Sequence, residues 1–435
     1  MVPELRLNTL PMPFPETPLH DPHAATRGFG LADVYWRVRV ATERLIEPLH
    51  VEDLGAQSMP DASPAKWHLA HTTWFFERFV LRPRLCDYKV FSESYDYLFN
   101  SYYESVGPMH QRSARGLLTR PGIDDIRRYR VYVDEQVMEL LRANPWDGEL
   151  CKVLTLGLNH EQQHQELLLT DIKHLFSCSP LRPAYCAGTQ QTRQTVPLRY
   201  TEFPGGLQTI GADDFAGFHF DNEGPRHAVL LADYALANRL VTNAEYSEFV
   251  ADGGYRSPTL WLSDGWSLVQ SEGWTRPLYW SADCTHEFTL YGLTPLDLSR
   301  PVSHLSFYEA DAFARWSGAR LPREHEWEHA SRTLAVGGNL LECAALHPQA
   351  ANSVKLTQMY GDVWEWTASP YSPYPGYRPE SGPLGEYNGK FMVNQLVLRG
   401  GSCVTPTTHI RPSYRNFFHP RTRWQFAGLR LARDL

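Results

Sequence analysis

Two histidines four positions apart, His160 and His164, sit in the stretch from Leu158 to Leu169, and they constrain this chain more than any other feature. On a helix that spacing places both imidazoles on one face, one turn apart, within reach of a single metal ion. The apolar residues Leu154, Leu158, Leu167 and Leu168 around them predict a buried helix. Two imidazoles are too few for a tight site, so a third ligand has to come from another segment. Glu166 lies about 200° round the helix from His164. It is expected to support the site or the fold rather than to ligate.

The same letters spell His-Glu-x-x-His, the zinc metallopeptidase signature, in which Glu161 would be the general base. The third ligand is sought on a second helix, read from Trp67 to Glu77, with Ser63 as N-cap and Pro64 in its first turn. It carries His68 and His71, three apart, between Trp67, Trp74 and Phe75. The residues by themselves leave both histidines open. Three neutral imidazoles would leave coordination positions free, as a catalytic metal requires. They suit Zn, Fe, Cu or Ni alike.

The organisation of the chain supports a bundle site. Helical periodicity runs over Leu31 to Leu49, Ile123 to Leu141 and about Asp147 to Phe176, with Asn144-Pro145 between the last two. With the Trp67 helix these make four, and bundles build metal sites from inward side chains of facing helices. After Ser179-Pro180 the chain turns rich in Gly, Trp and Pro, and its helices shrink to Asn243–Asp252, Ser306–Gly318 and Glu324–Arg332. The expected organisation is an α+β multidomain protein: an N-terminal arm over 1–25, a helical bundle over 26–180, a linker over 181–200 and an irregular α+β domain over 201–435. The formal net charge is −8 with mixed signs, so composition argues for neither a nucleic-acid nor a membrane partner. Seven scattered cysteines form no C-x-x-C. With no signal-like N-terminus and no long apolar run, a cytoplasmic location is expected.

At this point the residues carry a resemblance. Leu69-Ala70-His71, followed by His160-x-x-x-His164-x-Glu166, resembles the metal motif of DinB-like helical bundles. The stretches 361–366 (Gly-Asp-Val-Trp-Glu-Trp), 398–402 (Leu-Arg-Gly-Gly-Ser) and 427–431 (Ala-Gly-Leu-Arg-Leu) resemble the formylglycine-generating, sulfatase-modifying domain, a C-type-lectin-like fold. The two in this order resemble the ergothioneine-pathway sulfoxide synthases, or hercynine oxygenases. The resemblance implies Fe(II) on His71, His160 and His164, and an O2-dependent joining of a cysteine-type thiol to the imidazole C2 of hercynine. It implies that Gln163 lies near the imidazole, that Arg112 and Arg115 hold the thiol's carboxylate, and that Asn416 contacts the trimethylammonium substrate. Trp67, Phe417 and Phe418 are candidates for an aromatic face toward that ammonium.

The chain departs from part of the family in two places. Phe417-Phe418 stands where some members have Trp-Asp, which removes an acidic contact to a dipeptide amine and favours free cysteine over γ-glutamylcysteine. No stretch reads as the late active-site tyrosine of those members; Tyr102 or Tyr103, ahead of the arginine pair, is expected to be the proton donor instead. The alternatives are a selenoneine- or ovothiol-forming synthase, and a zinc peptidase using Glu161.

Overall fold

The computed structural model describes residues 30–144, 147–188, 193–213 and 217–435. The arm expected over 1–25, and residues 189–192 of the expected linker, lie outside the described residues.

Four long helices build the described N-terminal half: α1 (Leu31–Ile46), α2 (Ala65–Phe76), α3 (Ile123–Ala143) and α4 (Gly148–Cys178). Their buried positions follow the helical period. Tyr35, Val38, Thr42 and Ile46 face inward on α1, and Ile126, Tyr129, Val133, Val137 and Leu140 on α3. Asp147 caps α4 by accepting the N–H groups of Glu149 and Leu150. The start of α2 differs from expectation. Pro64, not Ser63, holds the N-cap position. The backbone N–H of Ser63 donates to Asp171 at 2.8 Å, and its hydroxyl accepts from Arg115 at 2.9 Å. Long-range partners thus take a side chain that local rules would assign to capping. α2 runs on into a π-helical turn, Glu77–Leu81.

At 31 residues α4 is the longest helix and spans about 46 Å. It is buried on more than one face because two bodies pack on it. One face joins the bundle. From another, Gln162 donates to Thr408 at 2.6 Å, and Glu166 accepts from Trp364, Ser402 and Thr405 at 2.7, 2.6 and 2.7 Å. Farther along, Lys173 meets His304 at 2.6 Å.

The C-terminal half holds eleven short strands among its described residues: β1 (Tyr200–Phe203), β2 (Gly206–Ile210), β3 (His227–Leu231), β4 (Tyr234–Ala237), β5 (His286–Thr289), β6 (Gly292–Pro295), β7 (Trp364–Pro370), β8 (Leu396–Arg399), β9 (Asn416–Phe418), β10 (Ala427–Gly428) and β11 (Ala432–Asp434). Four of them form a sheet in the order β10-β7-β8-β9, and three a sheet in the order β1-β4-β11; β2-β3 and β5-β6 are separate antiparallel pairs. In the larger sheet Trp366 stands opposite Leu398, and Leu398 opposite Asn416. Helices α5 (Asn243–Ala251), α7 (Phe307–Trp316) and α8 (Glu324–Ser331) fall where periodicity places them. Helix α6 (Ser263–Glu272) does not. Only Gly265 and Val269 of its ten residues are buried, so it shows almost no apolar stripe.

The motif stretches serve the fold. Trp364 and Trp366 are buried on β7, and Glu365 between them is paired by Arg430, both side chains fully buried. Gly361 has φ +79°, and a Cβ there would lie 2.3 Å from the carbonyl oxygen of Asn339. Only glycine meets both demands.

Candidate metal centre

His71 comes from α2, and His160 and His164 from successive turns of α4. One ring nitrogen of each lies within 4.8 Å of the others, and all three side chains are buried. His71 Nε2 and His160 Nε2 are 3.1 Å apart. Two metal–nitrogen bonds at a right angle would hold their donors about 3 Å apart.

The hydrogen bonds behind the rings define which nitrogens face inward. His71 Nδ1 lies 2.6 Å from the carbonyl oxygen of Phe99. A carbonyl only accepts, so Nδ1 carries the proton and Nε2 offers a lone pair. His164 is oriented by a longer relay. Asp171 accepts from His68 Nε2 at 3.1 Å, and His68 Nδ1 lies 2.8 Å from His164 Nδ1. With His68 donating from Nε2 to Asp171, its Nδ1 can accept, and His164 then donates from Nδ1 and presents Nε2 inward. His160 Nδ1 is buried without a partner. Burial lowers the pKa of all three, that of His160 to about 3, so they stand as neutral imidazoles, the form a metal needs. The donor set is three neutral nitrogens, which fits a divalent transition metal with open positions. His68, the other histidine of α2, lies behind His164 and outside the cluster.

Glu161 is out of play as a base. It projects about 100° from His160 round α4, into a fully buried network. Arg39 donates to it at 2.8 Å, Thr42 at 2.7 Å and Arg130 at 3.1 Å. Burial works to raise its pKa, but Arg39 and then Arg130 overcome this and hold the carboxyl at about 2. A carboxylate locked between two guanidiniums behind the helix cannot take a proton from a metal-bound water. This overturns the zinc-peptidase alternative.

Gln163, the residue before His164, reaches into the C-terminal half. Its Nε2 donates to the Tyr414 hydroxyl at 2.7 Å, and its Oε1 accepts the Tyr387 hydroxyl. Tyr387 is a site residue that sequence reasoning missed. It lies in a loop of short turns with no periodicity to expose it, yet its ring centroid is 5.6 Å from that of His160. Tyr102 is 6.0 Å from Tyr387 and 4.7 Å from Tyr103, ring to ring. Tyr103 is fully buried. Burial raises the pKa of all three phenols, so each keeps its proton.

Arg112 and Arg115 share one 3-10 turn but not one environment. Arg112 is exposed and donates to the carbonyl of Asp61. Arg115 is buried; it donates to Ser63 at 2.9 Å and Ser101 at 3.1 Å, and its guanidinium lies 3.4 Å above the Trp67 ring. None of these three partners carries a charge. Trp67 also stacks on His71, centroids 4.6 Å apart. Its π surface already carries a cation and a ligand ring, so the expectation that it faces a substrate ammonium does not hold. Phe417 stacks on Tyr371 at 4.1 Å, Phe418 packs partly buried against the core, and the Asn416 side chain accepts the Phe417 backbone N–H at 2.9 Å.

A bundle that converges three neutral imidazoles, joined through its longest helix to an irregular α+β body, defines a two-part metal-binding protein. Comparison with known proteins places both parts. Residues 35–168 match the DinB superfamily, and residues 188–342 and 339–435 match the sulfatase-modifying factor enzyme 1-like domain. Over 93% of its length the chain is 34% identical to the hercynine oxygenase of Mycolicibacterium smegmatis, covering 99% of that protein. It is 33% identical to the hercynine oxygenase of Mycobacterium tuberculosis over 92% of this chain and 97% of that one. The formylglycine-generating enzyme of Streptomyces coelicolor is 28% identical over 58% of this chain and 93% of its own. The chain belongs to the hercynine oxygenase family. No helix among the described residues is long and apolar enough to cross a membrane.

Proposed function

We propose that this protein is a non-haem Fe(II)- and O2-dependent sulfoxide synthase that joins cysteine, or a related small thiol, to the imidazole C2 of hercynine. The observation that carries the reading is the convergence of His71, His160 and His164, each neutral and each buried, beside Gln163 and Tyr387 where the two halves meet. Family membership supplies the substrates.

His71, His160 and His164 would hold the iron, which when bound supplies the redox chemistry with dioxygen. Arg115 would receive the carboxylate of the thiol substrate: a buried guanidinium with only neutral partners favours an anion beside it. Arg112, on the same turn, would complete the clamp by giving up its bond to the Asp61 carbonyl. Gln163 would contact the imidazole of hercynine. Tyr387, Tyr102 and Tyr103 supply protonated phenols on the same side; one of them would donate its proton as oxygen is reduced. Asn416 and the aromatic pair Phe417 and Phe418 would border the trimethylammonium end. Phe417-Phe418 brings no carboxylate for a dipeptide amine, which supports cysteine over γ-glutamylcysteine.

The test is anaerobic reconstitution with Fe(II), addition of hercynine with cysteine or γ-glutamylcysteine, exposure to air, and mass spectrometry of the products. A hercynine–cysteine sulfoxide is the expected product. No sulfoxide from any donor, together with full metal content in His71→Ala, would sink the reading.

A further inference from the structure

A chain of hydrogen bonds leads from the backbone of α4 into the C-terminal half and back to α4 at Gln163. Its direction can be read from one end. The backbone carbonyl of Thr155 is an acceptor that cannot turn over, and Asn159 meets it through Nδ2 at 2.9 Å. The Asn159 oxygen therefore points the other way, to His409 Nδ1 at 3.1 Å. His409 must carry its proton on Nδ1 to make that bond. Its Nε2 is then a bare acceptor, 2.9 Å from the Tyr414 hydroxyl. Tyr414 donates there, and its oxygen is left to accept the amide N–H of Gln163 at 2.7 Å. The Gln163 oxygen is thereby turned toward the metal side, where the Tyr387 phenol donates to it.

The three members between the Thr155 carbonyl and Gln163 are buried. His409 is 1% exposed, Tyr414 3% and Asn159 7%. Burial, and then the neighbouring Arg411, keep His409 neutral; an imidazolium would donate from both nitrogens and break the polarity. None of these three residues is among the three metal-ligating histidines.

We infer that Asn159, His409 and Tyr414 are positioning residues that set the polarity of the Gln163 amide, so that the site presents a carbonyl acceptor and selects a ligand with an imidazole N–H to replace the Tyr387 phenol. The inference rests on the proposed function for the identity of that ligand, but the polarity itself does not. Isolated histidine favours the Nε2–H tautomer, so the wiring holds His409 in the less common form. Removing the Asn159 acceptor releases it: His409 then donates to Tyr414, Tyr414 donates to Gln163, and the amide turns its NH2 group toward the site.

Two measurements test this. Long-range proton–nitrogen spectra of the imidazoles in the Zn(II)-loaded full-length protein, with His409 assigned from His409→Gln, are expected to show protonated Nδ1 and bare Nε2. Protonated Nε2, or two protonated nitrogens, at neutral pH overturns the inference, whatever the activity. In the Fe(II)-loaded enzyme, Asn159→Leu is expected to raise KM for hercynine about tenfold, the scale of one mispaired hydrogen bond, with a smaller change in kcat. Asn159→Gln, which keeps a neutral amide oxygen to accept from His409 Nδ1, is expected to restore most of it. An equal effect of both variants, or a fall confined to kcat, counts against positioning. If the tautomer is as expected but hercynine is not consumed by the unmodified enzyme, the proposed function fails and the wiring stands.

Discussion

The Glu166 carboxylate accepts the indole N–H of Trp364 at 2.7 Å, so the helix that carries two of the three clustered histidines is tied to the core of the other half. Ser402 and Thr405 donate to the same carboxylate at 2.6 and 2.7 Å, and all four side chains are buried. Glu166→Leu takes the shared acceptor from three buried donors and leaves the two hydroxyls only each other, 3.2 Å apart. The expected cost is about 3 to 5 kcal/mol of stability. Thermal unfolding followed by circular dichroism checks it; an unchanged midpoint would show that this junction does not hold the halves together.

Metal binding should be visible in stability as well as in turnover. A metal at about a thousandfold over its Kd stabilises the folded state by about 4 kcal/mol. The midpoint of the Fe(II)- or Zn(II)-loaded protein should therefore exceed that of the chelated protein by several degrees. His71→Ala should lose that increment and the bound metal together. Retention of both would place the metal elsewhere.

The Asp171–His68 relay behind His164 should tune the metal without contacting it. Partners of this kind typically change affinity 10- to 100-fold. Asp171→Asn and His68→Leu are each expected to weaken metal binding by that order in competition with a chelator. Asp171 also accepts from the Ser63 N–H, so His68→Leu is the cleaner variant. Unchanged affinity in both would reduce the relay to packing.

Glu161 gives a pH dependence with a definite sign. Its pKa is lowered from 4.5 to about 2 in the folded protein, against the pull of burial, by Arg39 and Arg130. A lowered carboxylate pKa contributes stability above the unfolded value and loses it as pH falls through the folded one. About 3 kcal/mol should fade between pH 4.5 and 2. Urea titrations across that window should show the loss in the unmodified protein and a flatter profile in Glu161→Gln. That variant is also expected to be destabilised at pH 7, because Arg39 and Arg130 each lose one of two carboxylate partners and keep only Asp134 and Glu43.

The role proposed for Arg115 predicts a separation of thiol binding from hercynine binding. Arg115→Lys keeps a charge but loses the planar stack on Trp67 and the fork geometry. It is expected to raise KM for cysteine at least tenfold and to leave hercynine binding within about twofold. Isothermal titration with each substrate under anaerobic conditions distinguishes the two; equal losses would argue that the site has collapsed.

Much of the site was legible because part of it obeys a local rule. The spacing of His160 and His164 puts both rings on one helical face wherever that helix packs, and the periodicity of α1, α3 and α4 announced a bundle. The choice between His68 and His71 was not legible from spacing. Each lies on α2 within one turn, and the difference is made by Asp171 and Phe99, distant in the chain, which claim one nitrogen of each ring. Tyr387 left no trace in the pattern because it sits on a turn-rich loop. Trp67 offers an aromatic face in the sequence pattern, and only the fold lays Arg115 on it.

The sequence by itself determined the four long helices of the bundle, the paired histidines on one of them, and, through its resemblance, the family. Only the tertiary structure decided which way each charged or hydrogen-bonding group turned. Glu161 and Glu166 are both acidic neighbours of the same motif, yet one is locked between arginines in the bundle and the other holds the second half in place. Helical phase is a property of neighbours within a few residues, whereas the partner that a buried polar group must find comes from wherever the fold delivers one.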